Sequence, residues 1–266
     1  MTTPSRTTVP LPLQFALAML PVMVVGALVV AWLELRTEPA DPPPVTVDEV
    51  GRGMDSISDR QNHVDDGGTW AATDVNPDGT PVAWSGCAPI HWVHNPDQMP
   101  MGALADIEEA LRRVSVASGL TFVHDGGTDE LPSAARPTHQ PTRYATRGSD
   151  AAAPVLVAFV GLDIGDLPLA ASDRAITVAV SEGNERHRAI ITGQVILRSD
   201  AGEVGNFTSR ARGLGAVLMH EFGHLVGLTH VGDPGELMFA QPTMGDASWG
   251  PGDLAGLRQV GARGGC

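Results

Sequence analysis

The sequence predicts an α+β domain, and three observations carry that prediction. Short apolar runs rich in β-branched residues occupy the middle of the chain, each of strand length. One amphipathic helical pattern falls between the first two of these runs. Further helical stretches gather toward the C-terminus, and strands followed by late helices point to α+β. The 266 residues leave room for one hydrophobic core with a tail or linker, and 42% hydrophobic content fits a globular chain.

From the N-terminus, residues 13–33 carry no charge and are long enough to cross a bilayer as a helix. Arg6 precedes the run and Glu34, Arg36 and Glu38 follow it, while its exit, Ala31-Trp32-Leu33-Glu34, is a poor signal-cleavage site. Residues 1–36 are therefore expected to be a cytoplasmic stub and a transmembrane anchor, with a removed signal peptide as the alternative. Residues 37–83, rich in Pro, Gly, Asp and Thr and without a strand or helix period, read as a linker. The folded domain is expected over 84–266, outside the membrane: single-pass attachment to the cell membrane, or secretion if the signal is cleaved.

Within that domain, Pro89–His94 reads as a strand closed by Asn95-Pro96. Gly102–Ser118 carries Leu104, Ile107, Leu111, Val114 and Val116 against Glu108, Glu109, Arg112 and Arg113, an amphipathic helix ended by Gly119. Leu120–His124 is a second strand, and 125–153 a polar, turn-rich exposed loop. Val155–Val160, Ala175–Val180 and Ile190–Leu197 read as buried strands. Thr208 or Ser209 would cap the next helix, which runs through Gly213–Met219 into the motif below, and Gly252–Leu257 starts a short C-terminal helix.

The net charge of −14 excludes nucleic acid as a partner and disfavours docking on anionic lipid. All the basic residues are Arg, a mark of coding bias rather than of function. Cys87 and Cys266 are too isolated for a cysteine metal site, but would pair in an oxidising compartment.

The chemistry concentrates at His220-Glu221-Phe222-Gly223-His224-Leu225-Val226-Gly227-Leu228-Thr229-His230. His220 and His224, four apart on a helix, project from one face and can share a zinc ion. Glu221 would stand beside the metal and act as general base, then acid, on a zinc-bound water. His230 lies too far along a continued helix to join them. Gly227 resolves this, because glycine can adopt the left-handed conformation that ends a helix and turns the chain back. Three His ligands leave the fourth position open for catalysis.

This run resembles the extended zinc signature of the metzincin metalloproteases. Glu236-Leu237-Met238-Phe239 is similar to the Met-turn, and this wording, together with Trp249–Leu257, resembles the matrixin branch of those peptidases. The resemblance, over about residues 84–260, implies a metzincin-type fold: a twisted, mostly parallel five-stranded sheet with two long helices and a short C-terminal one. It also implies a monomeric zinc-dependent endopeptidase acting on peptide or protein substrates, with Met238 as apolar support under the metal. Departures are visible. Cys87 sits in Ser-Gly-Cys-Ala-Pro rather than a thiol-switch segment, and the only tyrosine, Tyr144, lies in the polar loop. Asp163, Asp166, Asp173 and Asp200 are oxygen donors for a structural Ca2+, but no spacing supports one. A catalytically inactive zinc-binding adhesion or scaffold module is the alternative. His91, His94, His124, His139 and His187 read as surface or core residues rather than ligands.

Overall fold

The computed structural model describes residues 63–65, 68–148, 151–161, 165–167, 169–170 and 172–262. The apolar run at 13–33, Asp163 and Cys266 lie outside them. Among the described residues, no helix is long and apolar enough to cross a membrane.

Two short strands, β1 (His63–Asp65) and β2 (Gly68–Trp70), pair antiparallel ahead of the main sheet. The sheet itself contains β3 (Ile90–His94), β4 (Phe122–Gly127), β5 (Val155–Val160), β6 (Ala175–Asn184) and β7 (His187–Arg198). Their spatial order is β4-β3-β5-β7-β6. β3 runs parallel to β4 and β5, β5 runs parallel to β7, and only the edge strand β6 is antiparallel. The expected mostly parallel five-stranded sheet is therefore present.

β5 shows why its sequence alternates so little. All six of its residues are buried, because the sheet is covered on both faces. Val155, Val157 and Phe159 face the main core with the helices, whereas Leu156 and Ala158 pack on the opposite side with Val93 and Tyr144. The helices are α1 (Ala103–Ser118), α2 (Leu214–Leu225) and α3 (Pro251–Gly261). α1 buries Ile107, Leu111 and Val114 and leaves Val116 76% exposed, off the apolar stripe. It ends at Gly119, left-handed at φ 80°, whose N–H bonds Ser115 O at 2.8 Å.

Three expectations change. The linker does not extend to 83, because Trp70, Ala71, Val82 and Ala83 are buried in the main core and 68–83 belong to the folded domain. Large apolar residues at irregular spacing carry no period, so sequence inspection missed them. The loop 125–153 is only partly exposed: β4 continues to Gly127, and a buried ion pair, Arg136–Glu130 at 2.9 Å, fastens the rest over the sheet. Finally, α2 starts at Leu214 with Gly213 as its N-cap, not at Thr208 or Ser209. Ser209 accepts the Gly213 N–H through its carbonyl, and Thr208 donates to Asn206, so both shape the preceding turn.

Candidate metal centre

α2 is almost wholly buried, ten of its twelve residues facing core or sheet. His220 and His224 are its half-buried exceptions, aligned one turn apart. The helix stops by a Schellman arrangement. Gly227 N–H bonds His224 O and Leu228 N–H bonds Gly223 O, both at 3.0 Å. Gly227 has φ 110°, and a Cβ there would lie 2.8 Å from Val82 O. Glycine thus serves both the turn and the close packing. The reversed chain brings His230 back to the helix, as the spacing predicts.

The three imidazoles converge. Their Nε2 atoms lie 3.0, 3.1 and 3.2 Å apart. His220 Nδ1–H donates to Leu237 O at 2.8 Å and His224 Nδ1–H donates to Leu228 O at 2.9 Å. With the ring proton committed to a carbonyl, each Nε2 presents a lone pair to the other two. Lone pairs facing one another need a cation between them. Tetrahedral bonds of about 2.0–2.1 Å would set ligand nitrogens about 3.3 Å apart, close to the observed triangle. The donor set therefore fits zinc. Burial also holds the rings neutral, the ligating form: His220 is pushed down to about 4, and His224 and His230 are lowered as well.

Glu221 is 7% exposed. Burial pushes its carboxyl up to about 7 against the lowering hydrogen bond from Thr177, with the charge of Asp173 raising it further. Thr177 Oγ1 donates to Oε2 at 2.7 Å and lies 3.0 Å from the Glu221 carbonyl. Among the described residues, Oε1 accepts no hydrogen bond.

Met238 is 1% exposed, and its sulfur would stand 2.5 Å from a Cβ on Gly223. Glycine at 223 therefore lets the methionine slot beneath the helix that carries His220 and His224. The turn around Met238 is held by two buried carboxylates. Asp253 accepts the N–H groups of Leu237 and Met238 at 2.5 and 3.2 Å, and Glu236 accepts those of Gly252 and Asp253 at 2.9 and 2.8 Å. The Leu237–Met238 peptide, whose N–H is held by Asp253, presents its carbonyl to His220, so α3 orients that imidazole through one backbone group.

The sequence profile of the matrixin family matches residues 59–258. The chain belongs to the matrixin family. It is a metalloendopeptidase of that family, and the match begins upstream of the core residues 68–83, which sequence inspection assigned to the linker. Comparison with curated proteins returns no match.

In this matrixin, His220, His224 and His230 form the only group of three convergent donors among the described residues. The other histidines stand elsewhere. His91 Nδ1 lies 2.8 Å from Asp125, and His94 and His124 share a 2.9 Å contact with His124 stacked on Trp92. His139 lies 3.9 Å from Glu182, and His187 begins β7 at the hairpin end. Asp166 is exposed, Asp173 accepts the Ala170 N–H at 2.9 Å, and Asp200 pairs at 3.4 Å with Arg198. Sequence inspection overlooked Thr177, Asp253 and the 70–83 segment that runs into Trp84. Thr73 N–H bonds Gly227 O and Trp84 Nε1–H bonds Leu225 O, each at 2.8 Å, so that segment clamps the turn delivering His230. An Asp three residues after Gly250, at the start of a Pro-initiated helix, was the one available signal for Asp253.

Proposed function

We propose that this matrixin hydrolyses peptide bonds with Glu221 as the proton carrier and with His220, His224 and His230 as ligands of one catalytic zinc. The observation that supports it best is the triangle of Nε2 lone pairs beside a buried carboxylate with a single side-chain donor among the described residues. When bound, zinc supplies a Lewis acid that polarises the scissile carbonyl and acidifies water to near neutrality. Glu221 takes a proton from the attacking water as the new C–O bond forms. It then gives that proton to the amine nitrogen as the C–N bond breaks. A carboxyl held near neutrality is suited to both transfers, since neither state is strongly preferred. Met238 and the Asp253 carboxylate keep the ligand His220 in place.

Substrate fits as an extended chain along the outer edge of β6, by strand addition. The segment Gln241-Pro242-Thr243-Met244, which follows the Met238 turn, would flank the residue after the cleaved bond. We further read residues 13–33 as an anchor holding the domain outside the cell, where Cys87 and Cys266 would pair. Mass analysis without reductant tests that pair, and two free thiols would remove the support it lends to an extracellular site.

The full chain, assayed on mixed-sequence peptides, is expected to cleave, to stop with a zinc chelator and to resume when zinc is restored. Chelator-insensitive cleavage, or no zinc bound at one equivalent, would overturn the reading.

A further inference from the structure

We propose that Thr177 is a positioning residue for Glu221: its hydroxyl anchors Oε2 to the edge strand and assigns Oε1 to proton transfer. The inference rests on the proposed role of Glu221 and deepens it.

Thr177 lies on β6 opposite Val195 in the ladder, and its side chain meets α2. Its neighbour Ile176 packs on the other face, with Ile196 and Val160. Valine has the same shape and would suit a strand here, so the hydroxyl is what distinguishes threonine at this position. That hydroxyl carries one proton and has two acceptors in reach, Oε2 at 2.7 Å and the Glu221 carbonyl at 3.0 Å. The shorter contact, to a carboxylate, has the length of a charge-assisted bond.

A glutamate side chain has three rotatable bonds, and untethered it would sample orientations that do not face the reacting atoms. Thr177 removes that freedom from one oxygen. The chemistry then needs no rearrangement of the tether. As the water O–H bond breaks, the proton goes to Oε1, and Oε2 becomes the carbonyl-type oxygen of a neutral acid, still accepting from Thr177. As Oε1–H breaks and the proton passes to the leaving amine, the carboxylate returns with the same bond intact. Placement on β6 adds a mechanical link, because the strand proposed to bind peptide is the strand that holds the base.

The test uses the full chain with Thr177→Val, Thr177→Ser and Glu221→Ala. Thr177→Val is expected to bind one zinc, keep KM within about twofold and lose kcat by about 10- to 100-fold, the scale of a misplaced catalytic group. Thr177→Ser, which keeps the hydroxyl, should recover most of kcat. Metal-free protein supplies a readout independent of turnover. Thr177→Val should lower its thermal midpoint by a few degrees, and by clearly less in the Glu221→Ala background, where only the backbone carbonyl remains as an acceptor. Wild-type kcat in Thr177→Val, equal impairment in the Val and Ser variants, or the same thermal shift in both backgrounds would each overturn the proposal. Cleavage surviving in Glu221→Ala would instead overturn the role of Glu221 itself.

Discussion

Glu130 and Glu221 have nearly the same surface exposure, 6% and 7%, yet their carboxyls are driven in opposite directions. Burial raises both. At Glu130 it is outweighed by hydrogen bonds from Arg136, Gln140 and Tyr144 together with the Arg136 charge, so the group stays below its ordinary value. Arg136 supplies two of those bonds, at 2.9 and 3.1 Å, and also grips Thr192, Gly193 O and Pro154 O. Glu221 has one neutral donor, Thr177, and no cation among the described partners, so burial prevails and the carboxyl rises to about 7. Equal surface exposure therefore does not set the direction, because Glu221 lies deeper in the protein than Glu130 and lacks a cationic donor among the described residues. The number and charge of the donors separate a locked ion that fastens a loop from a group able to exchange protons.

The largest expected effect breaks the comparison on the catalytic side. Glu221→Gln should keep zinc and fold, and lower kcat/KM by about 10²- to 10⁴-fold, the contribution typical of a general base. Its stability should equal or exceed wild type, because a neutral amide replaces a poorly paired buried acid. Peptide cleavage and urea unfolding measured on the same preparation check both halves.

Arg136→Met tests the other carboxylate. Stranding Glu130 without its cation should destabilise by about 3–5 kcal/mol, the range for breaking a buried ion pair. Turnover per folded molecule should be unchanged, since the pair sits on the sheet face away from the ligand helix. A fall in kcat at full folding would show that the two regions are coupled.

The pH dependence sharpens the contrast. A carboxyl whose folded value is depressed stabilises above its ordinary value and loses that contribution as pH falls through the folded value. The stability gap between wild type and Glu130→Gln should therefore be full above the ordinary 4.5 and close as pH drops below it. Thermal midpoints measured between neutral and acidic pH read this, and a gap that widened in acid would contradict the assignment.

The smallest effect supplies the exposed reference. Asp74 meets Arg188 at 2.6 Å, with side chains 44% and 40% exposed. Asp74→Asn should change stability by less than about 1 kcal/mol, as solvent-screened pairs do. A larger loss would mean that the Asp74–Asn76 turn is held by more than this pair.

Much of the catalytic end was legible in the chain because its determinants are local. The four-residue spacing of His220 and His224, the helix-ending Gly227 and the distance on to His230 are set by helix geometry and one backbone conformation, both encoded within eleven consecutive residues. Gly119 ending α1 and the apolar runs of β3, β5 and β7 were readable on the same ground. Met238 was recognisable by resemblance; what admits it, the missing side chain of Gly223, appears only when the two are packed together. The partners of Glu130 and Glu221 follow a different logic. Glu130 finds its donors nearby, at Arg136, Gln140 and Tyr144, but Arg136 also grips Thr192, 56 residues away, and Thr177 is 44 residues from Glu221. Each contact depends on how β6, β7 and the intervening loop stack, and no periodicity reports that. The folded role of 68–83 was hidden for the same reason, since Trp70 and Val82 fill gaps in a core built by other segments. The sequence alone determined which groups can bind a metal and where the helix must turn. Tertiary structure decided which buried carboxylate stays charged, because donors and desolvation act through space on residues the chain holds far apart.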